Sequence, residues 1–325
     1  MTYKVAVWGL GNHSIKNILP SIQEAKNLDL HGVFSRNLKT VQNCCQEFNC
    51  VSWESSDSML KDLEVDIVFV STPPGLHFNQ GREVLLAGKH FFCEKPITTN
   101  LPDLESLFEL AAERNLCVFE ALMYIHHPHF KALEDCINKK VLGSIESLQC
   151  SFTLPKLSSP GFRFNPSMGG SAILDLGIYP LSIVINLFTN KKIEILSSSI
   201  QGMKNSSVDI GGEVRLRLED GTLCDLDWSY DKTYKNQISI YGDKGSLFTE
   251  KIFSKDSYFI PNLEFDILGN KSNINTKPEN HFKLMLELFS DIISNRAKLD
   301  FQIESTLNLS RLIQEVLNGN PLIKN

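Results

Sequence analysis

The stretch "VAVWGLGNHSIK" at residues 5–16 runs from an apolar, strand-like pattern through two glycines into a helical pattern. Gly9 permits a tight turn, and Gly11 lets the backbone approach a pyrophosphate at the start of the helix. Ser14 stands where a third glycine is common, and it is small enough for close packing of helix against strand. Glycines often make turns and nothing more, but their position after a first strand predicts a dinucleotide-binding loop.

Strand-like and helical patterns alternate through the first 120 residues. Helical patterns at 13–25, 79–88 and 103–115 lie among five apolar runs, "YKVAVWG", "LDLHGVFS", "DIVFVST", "HFFCE" and "CVFEA". This alternation indicates an α/β domain with a parallel sheet covered on both faces, whose ligands lie at the carboxyl ends of the strands. Lys95 follows one of those ends, in "FFCEKPITTN" at 91–100, so a catalytic role competes with a solvated surface turn.

The second half of the chain has a different pattern. Strand-like runs dominate after residue 122, and turn signals such as "EDGT" and "YGDKG" separate the later ones, as in antiparallel hairpins. The polar stretch 262–278 is predicted to be a loop, and two helices are predicted near the end of the chain, at 279–295 and 303–318. We therefore predict a dinucleotide-binding domain over 1–122 and an antiparallel α+β domain over 123–325.

Composition and charge argue against several function classes. The 325 residues are 42% hydrophobic and 22% charged, and a net charge of −6 without a long basic run does not favour nucleic acid or an anionic membrane. The start of the chain does not resemble a signal peptide, and the longest apolar stretch, which contains Asp175, falls short of a membrane span. Eight cysteines without a Cys-x-x-Cys pair favour reduced thiols in a cytoplasm.

The end of the second strand bears on the choice of cofactor. NAD-binding domains usually place an acid there to hold the ribose 2′-hydroxyl, whereas this chain has Ser35 and Arg36. A hydroxyl and a guanidinium would bind a 2′-phosphate that a carboxylate would repel. The pattern favours NADP, with NAD possible, and a solvated loop arginine is the alternative.

Five motifs, in order, resemble the glucose–fructose oxidoreductase, inositol dehydrogenase and rhizopine-catabolism (Gfo/Idh/MocA) family: "GLGNHS", "STPPGLH", "AGKHFFCEKPIT", "EALMYIHHP" and "GGSAILDLGIYP". The likeness covers nearly the whole chain. It implies a Rossmann domain followed by an α+β domain with a large, mostly antiparallel sheet that binds substrate and dimerises. Members commonly oxidise or reduce sugars and sugar derivatives with NAD or NADP. A homodimer or dimer of dimers is therefore expected.

The resemblance also implies roles for individual residues. Lys95 matches the catalytic lysine of the Glu-Lys-Pro motif, with a cis bond to Pro96, and Asp175 and Tyr179 match an Asp-x-x-x-Tyr active site. Arg163 resembles an arginine that borders the active site. Cofactor contacts are expected from Gly9, Gly11, Asn12, His13, Ser35, Arg36, Thr72, Pro73, His77, Glu94, Lys95 and Arg163.

General chemistry is compatible with these catalytic roles. Exchange between a carbinol and a ketone needs an acid or base at the oxygen, which Tyr179 can supply if its pKa falls. At about 4 Å and an effective dielectric near 20, the Lys95 ammonium would stabilise a phenolate by about 4 kcal/mol, as an upper bound. Asp175 would share a face with Tyr179 in a regular helix, although Gly177 and Pro180 favour a kink. The alternatives are a core tyrosine and a helix-capping acid.

Two further stretches bear on metal and substrate. "HHPH" at 126–129 invites a metal site, but it lacks a helical i, i+4 histidine pair, so no metal is predicted. The family usually carries an arginine where this chain has Ile125. A Tyr-x-Asn before "IYGDKGSL" resembles members that reduce 3-keto sugars attached to nucleotides.

The sequence therefore predicts an NAD(P)-dependent oxidoreductase of a sugar or sugar derivative, with a nucleotide-sugar 3-ketoreductase as one candidate. Two alternatives remain. One is a non-enzymatic, cofactor-binding regulator, which the intact Lys95 and Tyr179 disfavour. The other is a glycoside-cleaving enzyme that retains its nicotinamide cofactor.

Overall fold

The chain forms two compact units. The computed structural model describes residues 2–158, 161–203, 206–319 and 323–324. One unit comprises Met1–Met123 with His281–Leu307, and the other comprises Tyr124–Asn280 with Asn308–Asn325. The division after residue 123 lies beside the predicted boundary. Residues 281–307, which we placed in the second domain, belong with the first unit.

Aromatic packing explains why 281–307 join the first unit. The ring centroid of Phe289 lies 4.8 Å from that of Phe92 and 5.3 Å from that of Phe119. All three rings are at most 1% exposed. Burial of apolar surface therefore decides which unit this helical segment joins, and chain order does not show it.

The first unit is built on a parallel sheet of six strands, ordered β3-β2-β1-β4-β5-β6: β1 (Tyr3–Trp8), β2 (Leu28–Phe34), β3 (Val51–Ser52), β4 (Ile67–Val70), β5 (His90–Cys93) and β6 (Val118–Glu120). A π-helical segment, Ser14–Ile18, leads into the first of five helices: α1 (Leu19–Glu24), α2 (Leu38–Phe48), α3 (Ser56–Lys61), α4 (His77–Leu86) and α5 (Leu101–Glu113). The strand order reverses between β1 and β4, which places the glycine loop after β1 at the switch point of a Rossmann sheet. The predicted dinucleotide-binding architecture is confirmed.

The second unit is built on a sheet of nine strands, ordered β14-β13-β12-β11-β7-β10-β9-β8-β15. All its neighbouring pairs are antiparallel except β7 with β10 and β8 with β15, so the predicted mostly antiparallel sheet is confirmed. The strands are β7 (Ile145–Thr153), β8 (Ile193–Gly202), β9 (Asp209–Leu218), β10 (Leu223–Ser229), β11 (Lys235–Gly242), β12 (Gly245–Glu250), β13 (Asn262–Ile267), β14 (Asn270–Asn275) and β15 (Ile323–Lys324). This unit also contains α6 (Pro128–Asn138) and α7 (Ile178–Leu187). Of the last two helices, α8 (His281–Asn295) belongs to the first unit, and α9 (Leu299–Asn318) begins in the first unit and ends in the second.

The loop predicted at 262–278 is wrong for most of its length, because β13 and β14 form a hairpin there. Leu263 and Phe265 alternate with more exposed residues and are buried. Their backbone pairs with β12 on one side, while all six residues of β14 are exposed at the sheet edge. The alternation of Leu263, Phe265 and Ile267 with polar residues covers only six positions, and β14 adds no buried residue, so the periodic signal is short.

α7 is the core helix of the second unit. Nine of its ten residues are buried. Within the described residues, one helical run, Pro166–Leu187, is long and apolar enough to cross a membrane, with a mean hydropathy of 1.6. It is longer than the apolar stretch recognised in the sequence because helical turns precede it. As 67% of its most apolar window is buried inside the structure, it has the pattern of a core helix.

Candidate active site

The loop after β1 leaves room for a phosphate. Gly9 has φ +109°, and a Cβ there would lie 2.7 Å from the carbonyl oxygen of Ser71, so the position requires glycine. A Cβ at Gly11 would meet nothing within 4 Å. The Ser14 hydroxyl contacts the Gly9 carbonyl (3.0 Å) and the Ser71 hydroxyl (2.9 Å), which ties the loops after β1 and β4 together. The Gly11 backbone is therefore open to an approaching group, as a pyrophosphate-binding loop requires.

Ser35 and Arg36 follow the last residue of β2, Phe34. The Gly9 N–H donates to the carbonyl of Phe34 (2.9 Å), one residue before the partly exposed Ser35. Arg36 is exposed, and no ion pair or hydrogen bond of its side chain occurs within the described residues. The donor set therefore suits a ribose 2′-phosphate.

His13 and Glu94, both predicted cofactor contacts, contact each other. Asn17 Nδ2 donates to His13 Nδ1 (3.0 Å), so the proton of a neutral His13 ring is on Nε2, which lies 3.0 Å from Glu94 Oε1. Burial opposes ionisation of Glu94, but His13 and Lys95 outweigh it and lower the pKa of the carboxyl. Asn12, the third residue predicted here, is exposed.

His77 is a buried side chain that connects two loops. It is 0% exposed, and its Nδ1 and Nε2 lie 2.8 Å from the Pro96 carbonyl and 2.7 Å from the Thr72 carbonyl. Burial lowers the pKa of His77, while these two carbonyl bonds oppose the shift. His77 therefore links the Thr72–Pro73 loop, which is partly exposed, to the turn after β5.

The turn after β5 carries Lys95 at the carboxyl edge of the sheet. The Glu94 N–H donates to the Val70 carbonyl (2.9 Å), which extends the pairing of β5 with β4 by one residue. Lys95 is partly exposed, and its bond to Pro96 is cis, as the resemblance implied. The Ile97 N–H donates to Glu120 Oε1 (3.1 Å) at the end of β6. Sequence reasoning missed Glu120, although an acid closing the apolar run "CVFE" was a visible signal.

Tyr179 lies in an aromatic enclosure of the second unit. It is 6% exposed, and its ring centroid lies 5.2 Å from Phe152, 5.3 Å from Phe253 and 5.9 Å from Tyr124. Ser182 Oγ donates to the Tyr179 carbonyl (2.8 Å). The ring is thus held on three sides by apolar contacts, which keeps its orientation fixed.

Asp175 is held by two side chains. Arg163 Nε and the Tyr230 hydroxyl donate to its Oδ2, at 2.6 and 2.8 Å. Asp175 belongs to a π-helical segment, Ile173–Gly177, that runs directly into α7, the helix that carries Tyr179. Arg163, predicted near the cofactor, lies in the second unit and binds Asp175.

Asn236 is a second residue that sequence reasoning did not assign. It is 3% exposed, its Oδ1 accepts from the Phe253 N–H (2.9 Å), and its Nδ2 donates to the Ser254 carbonyl (3.1 Å). These bonds fix the segment that carries Phe253 against Tyr179. The Tyr-x-Asn pattern, noted only for its resemblance, is the signal that could have identified it.

The histidines of "HHPH" have structural contacts. His127 Nδ1 accepts from the His129 N–H (2.9 Å) at the start of α6, and His129 Nε2 lies 2.7 Å from the Thr249 hydroxyl. Burial lowers the pKa of His127 to about 4 and that of His129 to about 2. No group of three or more His, Cys, Asp or Glu residues suited to a metal occurs in the described part of the chain.

A Rossmann unit with a glycine loop that is open at Gly11 and an exposed arginine after β2 is typical of an oxidoreductase that binds a nicotinamide dinucleotide. Residues 3–122 match the oxidoreductase family model with an NAD-binding Rossmann fold, GFO_IDH_MocA, and residues 130–248 match the GFO/IDH/MocA C-terminal domain. The chain belongs to the Gfo/Idh/MocA family. It is an NAD(P)-dependent oxidoreductase that acts on a sugar or sugar derivative.

Characterised relatives span almost the whole chain. A dTDP-3,4-didehydro-2,6-dideoxy-alpha-D-glucose 3-reductase from Actinomadura kijaniata is 26% identical over 97% of this chain and 95% of its own. A 3-ketoreductase from the same organism, solved with NADP and TDP-benzene, is 25% identical with a TM-score of 0.95, covering 100% of both chains. An aldose-aldose oxidoreductase from Caulobacter crescentus, at 19% identity and a TM-score of 0.89 over 98% and 97%, shares the fold.

Proposed function

We propose that this protein uses NADPH to reduce a keto group of a nucleotide-linked sugar, at the 3-position of the sugar as its relatives do. Four relatives that match 77–97% of the chain carry the same dTDP-sugar 3-reductase name, and a structural neighbour binds NADP with TDP-benzene. The residues of this chain support each half of the proposal separately.

The cofactor half rests on the first unit. The open space at Gly11 accommodates the pyrophosphate, and the exposed Arg36 with Ser35 would hold the 2′-phosphate of NADP. When bound, the cofactor supplies a hydride to the carbonyl carbon. Lys95 would stand at the carboxyl edge, where ligands of such sheets bind.

The chemical half rests on Lys95 and Tyr179. Reduction of a carbonyl needs a proton at the oxygen as the carbon accepts a hydride, and Tyr179 would donate it. The ammonium of Lys95 would stabilise the negative charge that develops on the oxygen. Asp175 would hold Arg163 and Tyr230 in place beside α7, since its Oδ2 accepts from both.

The observation that carries this proposal is the presence of two features in one chain. Ser35 and Arg36 can donate hydrogen bonds to a 2′-phosphate, and the hydroxyl is the one polar group on the enclosed ring of Tyr179. The test is a panel of dTDP-linked keto sugars and the corresponding free sugars, with NADPH or NADH, followed at 340 nm. We expect NADPH oxidation with a nucleotide-linked 3-keto sugar. Activity confined to free sugars would overturn the proposed substrate class. Cleavage of a glycoside without net NADPH consumption would indicate the glycoside-cleaving alternative. NADPH binding without turnover of any sugar would indicate a regulator.

Location and assembly are part of the same proposal. Eight free thiols, six of them buried, are compatible with a reducing cytoplasm. The large sheet of the second unit offers a face for a homodimer or a dimer of dimers. Neither property is needed for the chemistry above.

A further inference from the structure

Glu120 is a buried acid that has no role in the proposed reaction. The residue is 8% exposed and ends β6. Its Oε1 accepts from the Ile97 N–H (3.1 Å), and its Oε2 is buried without a hydrogen-bond partner among the described residues. Burying an ionised carboxylate whose oxygen lacks a hydrogen-bond donor costs more free energy than burying the protonated carboxyl at the same place.

The bond from Glu120 acts on the peptide group that follows Lys95. The carbonyl of the Pro96–Ile97 peptide lies 2.8 Å from His77 Nδ1, and its N–H donates to Glu120 Oε1. Both polar atoms of one peptide group are therefore held by buried side chains. Because Lys95 directly precedes this peptide, the two bonds fix the backbone from which its side chain projects.

Charges on β5 and its turn surround the carboxyl. Burial is the largest effect and raises the pKa of Glu120 to about 7; the Ile97 N–H and Lys95 oppose the shift, and Glu94 adds to it. Cys93, which faces Glu120 in the strand pairing, is a buried thiol whose pKa is raised well above its usual value, so it contributes no charge at neutral pH. Lys95 is the cation in this group that an ionised Glu120 would attract.

We propose that Glu120 is a positioning residue for Lys95, acting through the Pro96–Ile97 peptide and through its own charge. In the neutral form, Glu120 fixes the turn and leaves the ammonium to the substrate. In the ionised form, it draws the ammonium towards a buried ion pair. This inference rests on the proposed function, which makes Lys95 the group that stabilises the oxygen.

Turnover against pH tests the proposal. Glu120→Gln keeps an acceptor for Ile97 and cannot ionise, whereas Glu120→Ala loses both. We expect wild-type kcat for carbonyl reduction to fall as pH rises through about 7, and the Gln variant to lack that fall. The Ala variant should lose about tenfold in kcat at every pH, since the turn is released. A Gln variant with the wild-type pH profile would overturn the proposal, as would an Ala variant as active as the Gln variant.

A second measurement needs no substrate, so it separates this inference from the proposed function. Acetic anhydride labels only unprotonated amines, and peptide mass spectrometry gives the labelling of Lys95 relative to Lys61, whose side chain is 74% exposed. At pH 9 an ionised Glu120 would hold the Lys95 amine in a buried pair, away from the reagent, so the ratio should rise about threefold or more in Glu120→Gln. Equal ratios in the folded wild type and variant would overturn the inference even if the sugar reductase activity were found. A raised ratio would support it even if that activity were absent.

Discussion

At the scale of single residues, Tyr179 allows a clean test because its ring and its hydroxyl have separable roles. Tyr179→Phe keeps the contacts with Phe152, Phe253 and Tyr124, so the melting temperature should change little. Turnover should fall about 10²–10⁴-fold, the usual contribution of general acid–base catalysis. Tyr241→Phe, at an exposed position of β11, is the matched control.

Lys95 provides the coupling test for the same prediction. If Lys95 and Tyr179 act on one oxygen, Lys95→Ala added to Tyr179→Phe should cost far less than the product of the two single effects. Single-turnover rates would show this even where product release limits kcat. Unchanged chemistry in Tyr179→Phe would remove the tyrosine from the mechanism.

Arg36 determines cofactor choice in our proposal. A charge-assisted contact with the 2′-phosphate contributes about 1.5–3 kcal/mol, so NADPH should bind at least about tenfold more tightly than NADH. Arg36→Ala should remove most of the preference for NADPH and leave the affinity for NADH unchanged. Fluorescence titration with each cofactor measures this affinity ratio, and Lys39→Ala, at an exposed position near the start of α2, is the control. Equal affinities in the wild type would contradict the prediction.

Glu120 also links stability to pH. Its folded pKa of about 7 exceeds the ordinary value of 4.5, so between these pH values the folded protein binds more protons than the unfolded one. Stability from this group therefore falls as pH rises from about 4.5 to 7. Relative to Glu120→Gln, the wild type should lose up to about 3 kcal/mol across that interval. Urea unfolding of both proteins at several pH values measures it, and parallel curves would contradict it.

At the scale of elements, the segment after β12 depends on one amide. Asn236→Ala leaves the Phe253 N–H and the Ser254 carbonyl without partners, which should cost about 2–3 kcal/mol of stability. Release of Phe253 should also lower kcat, because its ring is one wall of the Tyr179 enclosure. Thermal unfolding and kcat of the folded fraction are the measurements. Asn270→Ala, on the exposed edge strand, should change neither.

Elements also show what the sequence could and could not predict. Five of the six strands of the first unit were readable because apolar runs leave few alternatives, and the glycine loop marks where the first strand ends. β3 was missed because it has two residues and both are exposed. The β13–β14 hairpin was missed because only Leu263 and Phe265 mark its buried side. The pairs His13–Glu94 and Arg163–Asp175 were not predictable, since 81 and 12 residues separate partners that tertiary structure brings together.

At the scale of the whole molecule, the sheet of the second unit has one open face. Along β9, Val214, Leu216 and Leu218 are buried, whereas Glu213, Arg215 and Arg217 alternate with them and are exposed. Arg217 pairs with Glu194 (2.8 Å) and Arg215 with Asp225 (3.4 Å), on the strands at either side. These pairs of opposite charge form a polar surface that can be complementary to the same surface of a second copy. A stable interface buries about 800 Å² of accessible surface on each partner.

We expect sedimentation equilibrium to give a molar mass near twice 36.7 kDa. Replacing both Arg215 and Arg217 with Glu would set like charges beside Glu194 and Asp225 and, across a two-fold axis, against their copies. The double variant should therefore sediment as a monomer while it still binds NADPH, because the cofactor residues lie in the first unit. Lys61→Glu, a charge reversal at a more exposed position in the first unit, should leave the dimer intact. A wild type that sediments at 36.7 kDa at micromolar concentration would show that this face is not a stable interface.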